Sequence, residues 1–226
     1  VWRFYIYYNR PEKSDVTFTW SDFQEKVNGE LIGNLGNLAN RTLTFVQRFY
    51  DGRVPEGEPD PAFWAEVRKV YQKITEHLER AELRDAFRVA FSISGIANKR
   101  FQDGEPWKAR TQDPAKAAGL IRDLCYVLKD LAILMHPYIP RAADRLAAFF
   151  GLKVGGADGL SWKDLGVLEG IGRVNSPEVL FSKLEDDRIA ELRERYAGSQ
   201  KDRADREAAK ISVESPTAQT PTASPA

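Results

Sequence analysis

Three side chains in this sequence are suited to holding an unpaired nucleic-acid base: Asn37, Arg41 and Trp107. Carboxamide and guanidinium groups match the hydrogen-bonding edges of bases, and an indole face stacks on a base. Asn37 and Arg41 are four residues apart in Asn37-Leu38-Ala39-Asn40-Arg41, and Asn34 precedes Asn37 by three, so all three share one side of a helix. That side is not the one carrying Val27, Leu31, Leu35 and Leu38, so the spacing predicts polar groups set outside the core. Gly33 and Gly36 lie in the same stretch, and each costs a helix about 1 kcal/mol relative to alanine. Such a cost is tolerated where something approaches the backbone closely. The same spacing also fits helix–helix packing through small residues, with Asn37 and Arg41 solvated or capping a neighbour. Trp107 follows Pro106 in a turn between two helices, either as a stacking platform or as a lid on the core. Lys108 and Arg110 beside it have the charge to meet phosphates and are equally plain surface cations. Asn98, near an apolar face, reads as a structural hydrogen bond before it reads as a base contact.

Other chemistries find little support. Cys125 is the single cysteine and stands in an apolar helical run, so an internal disulfide is excluded and a buried small hydrophobe is the reading. With only His77 and His136 beside it, no Cys/His zinc site is expected. His136, before Pro137, reads as a cap or a packed residue, and Trp162 as a packing anchor. No glycine-rich phosphate loop with a lysine occurs, and no nucleophile has a base at an interpretable spacing. Basic and acidic residues number 33 each, which argues against a broad electrostatic grip on nucleic acid but not against reading a few bases. No apolar run approaches the ~20 residues of a membrane span, and the cysteine usage fits a reducing cytoplasm.

The elements that must position these groups are helices. Residues 1 to 20 look extended and aromatic, broken by Asn9-Arg10-Pro11-Glu12. Ser21 with Gln24 fits a capping box. It opens one long helix with Phe23, Val27, Leu31, Leu35, Leu38, Val46 and Phe49 at helical spacing, ended by Asp51-Gly52. Asp60-Pro61 and Asp113-Pro114 each pair an N-cap with a first-turn proline. They start helices that run through Leu78 and to about Met135. Another spans about Glu82 to Phe101, and a fifth follows the His136-to-Pro140 kink and ends near Gly151. A short helix covers Asp186 to Tyr196. Short connections between amphipathic helices predict an all-α antiparallel bundle. Three parts are expected: a junction at 1–20, a helical domain at 21–197, and a tail at 198–226. The tail's Ser, Thr, Pro and Ala content predicts a disordered linker.

Several blocks, taken in order, resemble methionyl-tRNA synthetase at the junction between its catalytic region and its anticodon-binding domain. They are Trp2-Arg3-Phe4-Tyr5-Ile6, Asp15 to Phe23, Val27 to Arg41, Ala97-Asn98 ahead of Pro106-Trp107-Lys108, Leu134 to Pro140, and Leu180 to Leu184. The resemblance covers roughly residues 1 to 196. It implies the class I synthetase type of anticodon-binding helical bundle, part of an enzyme that joins methionine to its tRNA using ATP. It places Asn37, Arg41 and Trp107 on the positions that read the CAU anticodon, with the tryptophan stacked on the first base, and leaves Asn34, Asn98, Lys108 and Arg110 as supporting candidates. The family's HIGH-like and KMSKS-like signatures are absent, so this chain by itself should not activate methionine. The resemblance implies no cofactor here; ATP and Mg, with room for zinc in the catalytic region, belong to the parent enzyme. Its implied partners are initiator and elongator methionine tRNA, the catalytic domain of the same polypeptide, and the further C-terminal tRNA-binding domain that some members carry. Two alternatives remain open: the anticodon domain of another class I synthetase, and a helical interaction scaffold without an RNA role.

Overall fold

The computed structural model describes residues 1–175 and 177–198. The expected tail therefore lies outside the described residues from 199 on. Two compact units divide the chain, Val1–Lys183 and Leu184–Ala226.

The first unit is helical, with α1 Trp2–Tyr8, α2 Trp20–Lys26, a π-helical stretch Val27–Gly36, α3 Asn37–Tyr50, α4 Pro61–Glu79, α5 Leu83–Asp103, α6 Pro106–Gln112, α7 Pro114–Met135 and α8 Pro140–Ala148. Both Asp-Pro starts form as the sequence predicts. Asp60 accepts from the backbone N–H groups of Ala62 and Phe63, and Asp113 from that of Lys116. The centre is α7, in which every residue from Asp123 to Met135 is buried, Cys125 among them. A helix buried all round must be enclosed by the others. The α4–α5 hairpin, α3, α6 and α8 all pack against one another or on α7.

The interior of α7 is not purely apolar. Asp123 accepts from Trp64 Nε1 at 2.7 Å, from the Asp60 backbone N–H at 3.0 Å and from Arg100 at 3.3 Å, joining α4, α5 and α7 at one carboxylate. Burial still pushes its pKa upward, ahead of the opposing effect of those donors. Two turns further on, Tyr71 donates to Asp130 at 2.6 Å, and Lys129 donates to the carbonyls of Asp164 and Val167, each at 2.7 Å. These bonds fasten the irregular 162–167 segment to the bundle.

Four expectations are corrected. Residues 2–8 are helix rather than extended chain. Aromatic residues favour strands in isolation, but burying Phe4 against Phe87 and Phe91 and Tyr5 against Phe23 overrides that preference. The long helix begins at Trp20, capped by Thr19 Oγ1 accepting from the Asp22 N–H at 3.1 Å, not by Ser21. Its middle, Val27–Gly36, is wound as a π-helix. Trp162 is 42% exposed at the head of a single 3₁₀ turn capped by Ser161 and Asp164, so it does not anchor the core.

In the second unit, α9 (Asp186–Tyr196) forms over the residues read from the sequence. Asp186 and Asp187 stand in its first turn and Arg193 and Arg195 in its last, complementing the helix dipole.

Candidate nucleic-acid interface

The end of the π-helical stretch and the start of α3 lie along the C-terminal half of α5, and the predicted residues meet in that seam. Asn98 of α5 donates from Nδ2 to both the backbone carbonyl (2.9 Å) and the Oδ1 (3.0 Å) of Asn34. With Nδ2 so committed, Asn98 Oδ1 accepts from Asn37 Nδ2 at 3.1 Å. One turn along, Arg41 Nη2 donates to Gln102 Oε1 at 3.0 Å, and its guanidinium lies 4.3 Å over the ring of Phe101. Phe101 is buried, and its ring also neighbours Trp107, centroid to centroid 6.1 Å at 33°. Arg41 and Trp107 thus share one aromatic support.

Trp107 stands on a helix, α6, rather than in the expected turn. The connection is short and sharp. Glu105 holds φ 39° and ψ 55°, a left-handed conformation rare outside glycine, and Pro106 then starts α6 with Trp107 second. Trp107 stands beside Phe101 and is left 37% exposed.

Asn37 and Arg41 are less free than the spacing implied. Both are half-buried and already hydrogen-bonded to α5. Asn98 is hydrogen-bonded to Asn34 and Asn37 on the neighbouring helical stretch. Lys108 is paired with Glu105 at 2.8 Å, whereas Arg110 lies 4.4 Å over the ring of Phe49. Sequence reasoning passed over Phe101 and Gln102. The signal was present, since they follow Asn98 by three and four and so must share its face.

Elsewhere the chemistry is thin. His136 is half-buried, 3.4 Å from Asp144. The Cys125 thiol is fully buried and pushed upward by burial, far from thiolate chemistry at neutral pH. His77, Glu82 and Asp85 bring ligand atoms within 4.8 Å of one another. Their carboxylates are, however, engaged by His77 and Arg80 at Glu82 and by Lys13 and Arg84 at Asp85, so little negative charge remains for a cation. A cleft of about 1330 Å³ opens beside the α4 N-terminus and the C-terminal half of α5. Its walls mix both signs, with Arg100 paired to Asp60 at 2.9 Å and Lys99 to Asp103.

A helical bundle that exposes an indole beside an arginine and an asparagine ladder belongs to a recognisable class of chain. The family model "Anticodon binding domain of methionyl tRNA ligase" matches residues 52–201, and "tRNA synthetases class I (M)" matches residues 1–43. The chain belongs to the methionyl-tRNA ligase anticodon-binding-domain family. It is similar to the methionine–tRNA ligases of Treponema denticola (48% identical, over 90% of this chain and 29% of that one) and Treponema pallidum (44%, over 90% and 30%). It spans about three-tenths of their length. The fold is that of apo methionyl-tRNA synthetase from Mycobacterium tuberculosis, with TM-score 0.72 and 23% identity over 81% of this chain and 38% of that one. No helix of the described residues is long and apolar enough to cross a membrane.

Proposed function

We propose that this chain is the anticodon-reading part of a methionine–tRNA ligase, and that Asn37, Arg41 and Trp107 hold the first base of a CAU anticodon. The observation that carries this is the polarity of the asparagine ladder. Because Asn98 spends its N–H groups on Asn34, it accepts from Asn37, and Asn37 is left presenting its Oδ1. The Arg41 guanidinium has N–H groups to spare beyond the one given to Gln102. An acceptor beside a set of donors complements the pairing edge of cytosine, which offers an amino group next to acceptors. Uracil, with a carbonyl where cytosine has its amine, sets oxygen against oxygen. Trp107 supplies the stacking face.

The parent reaction, methionine joined to initiator and elongator tRNA with ATP, belongs to the longer polypeptide. Its catalytic domain is a partner in cis, and a C-terminal tRNA-binding domain is a further one in some relatives. The cytoplasmic setting rests on a single buried thiol and on the kind of reaction. Supporting the division at the N-terminal end, residues 1–43 match the class I synthetase family and the relatives are more than three times longer. The direct test is binding of an anticodon stem-loop. CAU should bind about 5- to 150-fold more tightly than the same loop with the first base changed to U, since one good bidentate base contact discriminates by about 1–3 kcal/mol. Equal affinity for the two loops would remove the assignment.

A further inference from the structure

The chain as a whole is electrically balanced, with 33 residues of each sign. Charge is nonetheless segregated locally: α3 and α6 carry Arg41, Arg48, Lys108 and Arg110 and no acidic residue. The two helices are joined by an aromatic seam. Phe45 lies 4.6 Å from Phe49 and 6.0 Å from Phe101, which in turn supports Trp107. Arginines lie on this seam at both ends. Arg41 covers Phe101, while Arg110 and Arg48 lie 4.4 Å and 5.2 Å from the centroid of the same ring, Phe49.

Two exposed cations share that one ring, and among the described residues neither is paired with a carboxylate. They can be no farther apart than those two distances laid end to end, which is inside the ~10 Å screening length at ~0.1 M salt. Like charges held this close without a counter-charge form a site for an anion. A guanidinium whose face rests on an arene still points its N–H edge outward, and that planar fork matches a phosphate. Arg48 also follows Arg41 by seven residues, two turns of the same helix, so it stands about 10 Å from the base-holding arginine. An adjacent nucleotide's phosphate falls within that span.

We propose that Arg48 and Arg110, presented by Phe49, form a clamp for the phosphodiester backbone of the RNA next to the base held at Asn37, Arg41 and Trp107. The inference rests on the anticodon-reading assignment and extends it from bases to backbone. The clamp reads no sequence; it sets affinity and register, and it accounts for backbone grip in a chain with no net charge.

The test uses the 226-residue chain with Arg48→Gln/Arg110→Gln, titrated with the CAU stem-loop and its first-base variant at several salt concentrations. A phosphate contact on a single strand contributes about 0.7 to the slope of log affinity against log salt. The slope should therefore fall by about 1.4, affinity for both loops should fall together by tenfold or more at low salt, and their ratio should stay as in the parent. Arg48→Lys/Arg110→Lys, which keeps the charge, should retain most of the slope. Thermal unfolding checks that each variant is folded; if the double glutamine variant is not, Arg110→Gln alone on exposed α6 should give about half the slope change. A parent slope retained by folded glutamine variants overturns the clamp and leaves the base assignment standing. Loss of CAU preference in the parent itself overturns the base assignment instead, while the slope still reports on the clamp.

Discussion

Replacing Trp107 with alanine separates two roles that exposure alone leaves mixed. The indole is 37% exposed and rests on buried Phe101, so it is neither a free platform nor a full core lid. A fully buried aromatic truncated to alanine costs about 3–5 kcal/mol. Scaled by the roughly three-fifths of the side chain that is covered, that becomes about 2–3 kcal/mol. For a unit of this size, each kcal/mol lowers Tm by about 2–4 °C, giving a fall of about 4–12 °C. Losing one base–aromatic stack costs about 1–3 kcal/mol of binding, which is about 5- to 150-fold in Kd. Affinity is therefore measured well below the variant's Tm, by stem-loop titration, beside a thermal melt. Stacking tolerates any base, so affinity for CAU and for altered anticodons should fall alike, and the salt slope should not move. A folded Trp107→Ala protein that binds CAU within twofold of the parent would refute the stacking role.

Three other perturbations have defined outcomes. Asn98→Ala removes the acceptor that orients Asn37 and leaves Asn34 without its side-chain donor. It should cost about 1–2 kcal/mol of stability and lower the CAU-to-altered ratio, both read on one preparation; an unchanged ratio would mean that the ladder orients nothing. Asp123→Ala strands Trp64 Nε1 and the Asp60 N–H in the interior and removes one of Arg100's two carboxylate partners, leaving Asp60. Urea unfolding should show a loss of about 3–5 kcal/mol, with Asp123→Asn milder; equal losses would assign the effect to charge rather than hydrogen bonding. Asp22 is held below the ordinary aspartate range, chiefly by Lys26 and further by Tyr5 and Asn9. A depressed folded pKa contributes stability that is complete above the unfolded value of ~3.9 and disappears as pH falls through the folded one. Melts between pH 7 and 3 should therefore show a shallower acid decline in Asp22→Asn than in the parent.

Capping chemistry was the most legible part of the fold. Asp60-Pro61 and Asp113-Pro114 announced α4 and α7 because an acceptor side chain and a missing N–H act locally, and the structure uses both. The start that failed at the N-terminus depends on partners far along the chain. Trp2–Tyr8 is helical because α5 offers Phe87 and Phe91, and no local pattern in seven residues records that. The π-helical winding at Val27–Gly36 is a choice of backbone register, i→i+5 in place of i→i+4. Side-chain periodicity reports which residues face inward and is almost blind to that choice. For the candidate site, sequence supplied the residue types and shared faces, but not that Asn37 and Arg41 are already tied to Asn98 and Gln102, nor that Phe101 lies under both Arg41 and Trp107. Those are pairings between α3, α5 and α6, which only the folded arrangement brings together.

From Trp20 to Tyr50 the helical winding never breaks, passing through α2, the π-helical stretch and α3 as a single rod. At one end Trp2 stacks on Phe23 at 4.2 Å, with Phe18 and Trp20 edge-on to each other beside them. At most about 27 Å beyond Phe23, at 1.5 Å per residue, the rod carries Asn37 and Arg41. Trp107 stands on a different helix, behind the fixed elbow at Glu105. The proposed grip on a base is therefore built like a calliper, with one jaw on the rod and the other on α6. No loop intervenes between that jaw and the aromatic end of the rod. Continuous helical backbone thus links the aromatic packing of Trp2 on Phe23 to the polar groups of Asn37 and Arg41.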